Sequence, residues 1–428
     1  SSDVCSSDLN SMSREKIITG IDIGSTKIST VVASVSDNKV SVIGVSGNVP
    51  SKGINKGNVV DIDSAVEVIS QSIEKAERMA GISVSDAFVT INGSHIETLN
   101  SHGVVAVAPN ENADITREDV ARVIEAAQAV SLPSTREIIH VIPRDFVVNS
   151  QEGIKDPVGM SGVRLEVETN VIHGSATAMK NIVKCVNKIA IDVDELVYSG
   201  LASAEAVLTD TERELGTLLV DIGGGTTSII AFLDGSPVHS VVLPIGGKLI
   251  TSDLAIGLRS RLEDAEKIKI RLSNEALLSK NDFHDNSEDF DVSEFDLDIE
   301  RVPRIMLYKI INARLEEIFR LIALEITKAG LNGKLPAGAV ITGGGASTAG
   351  VEKSAKVNLK MPVRIGVPKG VTGLIDEIKG PDSSAGVGAV LYGAKLYRGS
   401  NLLSFDDKNG SIRKSVSKLF GKLKSLLP

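Results

Sequence analysis

The chain has 428 residues, 42% of them hydrophobic, which is too long for one ordinary core and enough for two to four domains with sizeable interiors. Its net charge is −9, and without residues 411–428 the body carries 41 basic against 55 acidic side chains, a net of −14, which excludes a general nucleic-acid binder. Cys5 and Cys185 are too few for a disulfide framework, no signal-peptide pattern opens the chain, and no apolar run nears the roughly 18 residues that span a bilayer, so a reducing cytoplasm is expected.

Residues 1–13, "SSDVCSSDLNSMS", repeat Ser-Ser-Asp without apolar periodicity and read as a disordered or artefactual tail, with Met12 in the position of a true start. From Ile17, "KIITGIDIGSTKISTVVASV" predicts strand, turn and strand, and "NKVSVIGVSGN" a third strand. "DIDSAVEVISQSIEKAERMAG" predicts a helix with Asp63 or Ser64 as N-cap, Val66, Ile69, Ile73, Ala76 and Ala80 inward, and Gly81 as the stop. Between 86 and 168 the rhythm changes to strands, a helix capped by Thr116 with Asp119 three residues on, and another strand, an inserted α+β subdomain. The α/β pattern resumes through "LGTLLVDIGGGTTSIIAFLDG" and then turns mostly helical, with Pro303 opening and Gly330 closing a long helix. Residues 281–300 hold nine carboxylates, no Lys or Arg, and Phe283, Phe290 and Phe295, which predicts either a solvated edge or a partner surface.

Two segments repeat one pattern 199 residues apart: "GIDIGSTKISTVVA" at 20–33 and "LVDIGGGTTSIIAF" at 219–232, with Asp22 and Asp221 in matching places. Each sets a carboxylate at the end of a buried strand and follows it with small residues whose backbone N–H groups can approach phosphate oxygens. The carboxylates suit hydrated Mg²⁺, which prefers oxygen ligands and keeps several waters. One Asp-x-Gly turn alone is common turn chemistry, but two in matching α/β halves are not. "GAVITGGGAS" at 338–347 adds a strand ending in Gly343, Gly344 and Gly345, where backbone can pass close to a flat ring. "RLEDAEKIKI" sets Glu266 and Lys269 three apart on one helical face, able to accept from and donate to ribose hydroxyls, although by spacing alone the pair also reads as a surface salt bridge.

Phosphate loop, second phosphate loop, Glu-x-x-Lys helix and Gly-Gly-Gly turn, in that order, resemble the superfamily of actin, heat-shock ATPases and sugar kinases. Within it, "HVIPRDFVVNSQEGIKDPVGMSGVRLEVETN" at 140–170 and "LASAEAVLTDTERELGTLLVDIGGGTTSII" resemble FtsA, the actin-like bacterial cell-division family, and the resemblance runs from about residue 15 to the C-terminus. It implies an α/β, actin-like two-domain ATPase fold with an inserted small α+β subdomain and a C-terminal amphipathic helix. The first domain core is expected at 14–85 and 169–213, the insert (SHS2-like) at 86–168, and the second core at 214–258 and 336–398. A partner-binding subdomain is expected at 259–335, a linker at 399–410 and a membrane-targeting helix at 411–428.

The same resemblance implies ATP and Mg²⁺ as cofactors, self-association into filaments, binding of the FtsZ C-terminal tail, and attachment to the inner face of the cell membrane at the division site. Carried to this sequence, Asp22, Gly24, Ser25, Thr26 and Lys27 form the first phosphate loop, and Asp221, Gly223, Gly224, Gly225, Thr226 and Thr227 the second. Glu266, Lys269, Gly343, Gly344 and Gly345 hold the nucleoside, Asp22 and Asp221 hold the metal through water, and Gly246 and Gly247 line the cleft at a helix N-terminus. Related filament ATPases carry a Glu where this chain reads Tyr198, Ser199, Gly200, Leu201, Ala202, so slow hydrolysis is expected, with ATP acting chiefly as a conformational ligand. The FtsZ tail, acidic and apolar, is assigned to the subdomain over 259–335, where the helix over 304–329 carries exposed Arg314 and Arg320 beside apolar residues. Two other readings remain: a pilus-assembly actin homologue of the PilM type, which the basic amphipathic C-terminus disfavours, and a metabolic kinase, which needs a substrate base that nothing in the sequence marks.

The tail carries its own pattern. Ile412, Val416, Leu419, Phe420, Leu423, Leu426 and Leu427 fall on one helical stripe, with Arg413, Lys414, Lys418, Lys422 and Lys424 on the flanks and the other face. Such a stripe suits an anionic membrane surface, and the alternatives are docking on the protein's own surface or in a partner's groove.

Overall fold

The computed structural model describes residues 15–36, 39–107, 114–279, 289–295, 297 and 299–404. The expected tail 1–13 and membrane helix 411–428 lie outside the described residues. β-Branched runs form the first sheet: strand Lys16–Ile23 pairs antiparallel with Lys27–Ser36, which pairs with Lys39–Val45, and strands Asp86–Ile91 and Asp192–Tyr198 add in parallel on the other side. Helix Ile62–Ala80 covers one face. Its N-cap is Asp61, two residues ahead of the expected cap, because the Asp61 carboxylate accepts from the Asp63 and Ser64 amides at 3.1 and 3.2 Å. Gly81 closes the helix in the left-handed region at φ +70°.

The second sheet repeats this arrangement. Strand Thr217–Ile222 pairs antiparallel with Thr227–Leu233, that strand with Ser236–Leu243, and Ala339–Thr342 and Val363–Ile365 add in parallel. Beyond it, helices Gly247–Leu258, Leu262–Ser279 and Arg304–Lys328 pack through Leu254, Ile268, Leu307, Ile311 and Ile318 into the core of the same half. Pro303 stands at the start of the long helix, and Gly330 follows its end at φ +67°. Of the acidic stretch, Phe290 and Phe295 are buried in this core, and Arg271 and Arg304 each lie 5.0 Å over the Phe290 ring. These two phenylalanines serve the interior while Asp289, Asp291 and Glu294 stay exposed, and Phe283 lies outside the described residues.

Strands Glu97–Ala106, Arg136–Val148, Gln151–Ile154 and Arg164–Ser175 form a separate antiparallel sheet covered by helix Arg117–Gln128, whose Thr116–Asp119 capping box is present. Two expected boundaries change. Strand Asp86–Ile91 belongs to the first sheet, so the inserted sheet begins after it and runs on to Ser175. After Val363–Ile365 the chain returns to the first half: Thr372–Gly373 pairs with Lys39–Val45, and helix Ser384–Ser404 packs on the first sheet and on helix Ser199–Val207. The stretch 366–398 is thus split from the second core with which sequence rhythm groups it.

Candidate nucleotide-binding cleft

Each sheet delivers its aspartate the same way. Strand Lys16–Ile23 ends beside Asp22, strand Thr217–Ile222 beside Asp221, and in both a glycine amide two residues after the aspartate closes the turn, Gly24 N to Lys27 O at 3.0 Å and Gly223 N to Thr226 O at 2.9 Å. The two turns meet across a cleft of about 410 Å³ between the halves. They touch so closely that a Cβ on Gly224 would overlap the Thr26 hydroxyl.

Asp221 is buried and Asp22 half-buried, and each accepts one hydroxyl hydrogen bond, Asp22 from Thr90 at 2.7 Å and Asp221 from Ser203 at 2.6 Å. Burial raises the Asp22 carboxyl above its ordinary range against the Thr90 hydrogen bond and the Lys27 charge. It pushes Asp221 up to about 6, helped by the Asp22 charge and opposed by Ser203 and Lys27. Two carboxylates brought to one cleft, each still owning free acceptor capacity, fit Mg²⁺ held through its waters and a nucleotide phosphate. Among the described residues no cluster of three or more His, Cys, Asp or Glu side chains could hold a metal outright. The chemistry fits an ion that arrives with its ligand.

At the far end, Glu266 and Lys269 on helix Leu262–Ser279 meet as the spacing implies, the ammonium donating to Glu266 at 2.7 Å and to Thr251 at 2.9 Å, while the Thr251 hydroxyl also bonds Glu266. Lys269 is only 12% exposed at its side chain, so this is no ordinary surface pair. The turn Gly343–Gly345 forms the facing wall, and a Cβ on Gly343, at φ +82°, would overlap an Asp221 oxygen. Of the residues assigned from sequence, Asp22, Gly24, Ser25, Thr26, Lys27, Asp221, Gly223, Gly224, Thr226, Gly247, Glu266, Lys269, Gly343, Gly344 and Gly345 line the cleft. Three stand behind it. Gly225 packs on Ser25, Thr227 donates to the Ile245 carbonyl at 2.8 Å, and Gly246 backs onto the Gly223 carbonyl.

Several contributors carry no sequence signal. Lys248 Nζ donates to the Ser25 carbonyl at 2.8 Å, joining the second half to the first loop. Asn92 donates to Thr226 at 3.3 Å and accepts from Ser228 at 3.2 Å, joining the root of the insert to the second loop. Lys27 pairs with Asp382 at 2.7 Å. No carboxylate occurs over 198–202; Ser199 faces the cleft there and Tyr198 is buried. On the long helix, Arg314 is not the exposed side chain expected: it is 24% exposed and makes a bidentate pair with Asp253 at 2.6 and 2.8 Å, while Arg320 is 73% exposed.

Comparison with known proteins places this architecture. Residues 93–173 match the family model described as the SHS2 domain inserted in FTSA, and residues 218–388 match the model for the cell division protein FtsA. The cell division protein FtsA of Pseudomonas aeruginosa is 41% identical over 380 residues, covering 88% of this chain and 89% of its own. That of Borreliella burgdorferi is 39% identical over 417 residues, 96% of this chain and 98% of its own. Among solved structures, the PilM–PilN type IV pilus biogenesis complex superposes with a TM-score of 0.59 at 16% identity, covering 88% of this chain and 98% of that one. MreB5 of Spiroplasma citri bound to ADP superposes with a TM-score of 0.52 at 13% identity, covering 94% and 98%. These structures share the actin-like fold.

Proposed function

The chain belongs to the FtsA family of cell-division proteins, and from that premise we propose that it binds Mg-ATP between its halves, assembles into filaments, and tethers the FtsZ ring to the inner membrane face. The observation that carries the nucleotide reading is the cleft itself, where Asp22, Asp221, both phosphate turns, Glu266–Lys269 and the Gly343–Gly345 wall meet although they come from four separate stretches. The residues divide the work. Backbone amides of the two turns and Lys27 hold phosphates, Asp22 and Asp221 orient a hydrated magnesium ion, and the Glu266–Thr251–Lys269 group binds ribose hydroxyls. Magnesium would supply charge neutralisation between phosphate oxygens. With no carboxylate over 198–202 to orient an attacking water, turnover is slow and ATP acts by closing the halves.

The FtsZ tail fits the subdomain built from helices Leu262–Ser279 and Arg304–Lys328, where Arg320 is exposed, in a surface pair with Glu316 that an acidic peptide can displace, and Arg314 is engaged by Asp253. The test is calorimetry: Mg-ATP titrated into the full chain, then an FtsZ tail peptide into the loaded protein. Saturable binding of both is expected. Absence of peptide binding at concentrations that saturate other family members would remove the tether, and phosphorylation of small acceptors would point to a kinase.

A further inference from the structure

The Lys27 ammonium, placed by the first phosphate turn, already has two partners: Asp382 Oδ2 at 2.7 Å and Asn48 Oδ1 at 2.8 Å. Asn48 Nδ2 closes the triangle on the same Asp382 oxygen at 3.0 Å. An ammonium has three N–H donors, so two of Lys27's three are committed. Burial works to raise the Asp382 carboxyl, but the Lys27 charge and hydrogen bond, with Asn48, hold it below the ordinary range.

Asp382 sits in a turn of the first half that touches the second. The neighbouring Pro381 carbonyl accepts from the Gly343 amide at 3.0 Å and from the Thr342 hydroxyl at 3.1 Å, both at the end of a second-half strand. The Ser384 hydroxyl shares a 2.6 Å bond with Thr342. The next residues open helix Ser384–Ser404, which lies against the first sheet so closely that a Cβ on Gly20 would meet the Gly386 carbonyl at 2.8 Å. One turn is therefore fixed to the second half by backbone and to the first half by the Lys27–Asp382 pair.

A phosphate placed between the two turns and the Asp382 carboxylate are rival anions for one ammonium, and the two anions repel each other across it. We propose that Asp382 is a clasp that competes with the nucleotide's terminal phosphate for Lys27, so that transfer of the ammonium to phosphate frees the 380–383 turn and reports the nucleotide state to helix Ser384–Ser404. The proposal rests on the nucleotide reading above. It assigns a positioning role to a residue outside both phosphate loops, and a direction of signalling toward the helix that precedes the C-terminal tail.

The test is a double-mutant cycle in the full chain, with Asp382→Asn and Lys27→Gln, read by Mg-ATP and Mg-ADP calorimetry and by hydrogen exchange over helix Ser384–Ser404. Asp382→Asn is expected to tighten Mg-ATP by about tenfold and Mg-ADP by less. In the Lys27→Gln background the same change should move affinity by less than about twofold. ATP should speed exchange in the first turn of the helix in wild type, whereas in Asp382→Asn exchange is already fast without nucleotide. Asn48→Ala, which removes one hydrogen bond from each member of the pair and leaves both charges in place, should act in the same direction and more weakly. Weaker ATP binding by Asp382→Asn would mean that the carboxylate aims Lys27 at the phosphate, and an equal effect with and without Lys27 would mean simple repulsion; either overturns the clasp. So does a helix whose exchange responds to ATP in the variant as it does in wild type. Wild type failing to bind Mg-ATP removes the nucleotide reading and the clasp together, while wild type binding normally with Asp382→Asn unchanged removes the clasp alone.

Discussion

At Asp221 stability and ligand binding pull in opposite directions. Its carboxyl is pushed up to about 6 by burial and by Asp22, against the Ser203 hydrogen bond. A carboxyl whose native value lies above its unfolded one stabilises the fold fully below about pH 4 and loses that contribution as pH rises through 6, here by about 3 kcal/mol at most. Asp221→Asn removes the loss. Denaturant unfolding at pH 7.5 should therefore find the variant as stable as wild type or more so by about 1–3 kcal/mol, with the two converging near pH 4. Mg-ATP affinity should fall more than tenfold, because a neutral amide cannot orient the metal's waters. Unchanged affinity in the folded variant would reduce Asp221 to a turn residue. The two aspartates are legible in the sequence because the turn chemistry repeats around them. Their hydroxyl donors are not: Ser203 lies in a small-residue helix 18 residues upstream of Asp221, and Thr90 in a plain strand 68 residues from Asp22. Nothing local distinguishes either from a neutral core residue.

Among elements, one of the links between the inserted sheet and the first half is a chain of hydrogen bonds through His140. His140 on strand Arg136–Val148 accepts the Tyr198 amide at Nε2, 3.0 Å away, so its proton sits on Nδ1, facing the Tyr392 hydroxyl at 3.3 Å. Tyr392, on helix Ser384–Ser404, donates onward to Glu195 at 2.7 Å. Burial lowers His140 to about 4. A histidine depressed in the native state leaves stability intact above about 6.5 and drains it as pH falls toward 4, because only the unfolded chain takes the proton in that window; about 3 kcal/mol is at stake. Glu195, raised by burial, has the opposite sign, so His140→Gln is the informative variant. Thermal melts from pH 7 to 4.5 should show wild type losing more stability than the variant, and parallel curves would place the acid sensitivity elsewhere. The strands and helices of this region are readable from periodicity, whereas their allegiance is not. Thr372–Gly373 is two residues long and helix Ser384–Ser404 is apolar nearly all round, so neither carries a pattern that says which sheet it joins.

For the whole molecule, the two halves are legible as an internal repeat because each must place an aspartate and a small-residue turn at one cleft, and the insert is legible because its strand rhythm breaks the α/β alternation. The contacts that stitch the halves together, Lys248 to Ser25 and Asn92 to Thr226, are not legible, since long-range hydrogen bonds leave no periodicity. The proposed tether depends on residues 411–428, outside the described structure, and follows from sequence: seven apolar side chains on one stripe and five cations beside it, behind a body of net charge −14. A body of that net charge is repelled by anionic lipid, so in the proposed tether the attraction comes from the tail. Each cation near the surface contributes about 1 kcal/mol and the apolar stripe adds to it, enough for reversible attachment. Gly421 costs about 1 kcal/mol against Ala in a short helix, so the proposed tether expects the tail to become helical only at the bilayer. In sedimentation with vesicles, wild type should pellet with anionic lipid at low salt, less at high salt, and little with neutral lipid. A chain ending at Asn409 should stay in the supernatant, and Phe420→Glu should lose most binding while keeping four-fifths of the tail's net positive charge. If the shortened chain pellets with anionic vesicles like the full one, membrane attachment arises from the folded body, against its charge, and the tail is free for a partner instead.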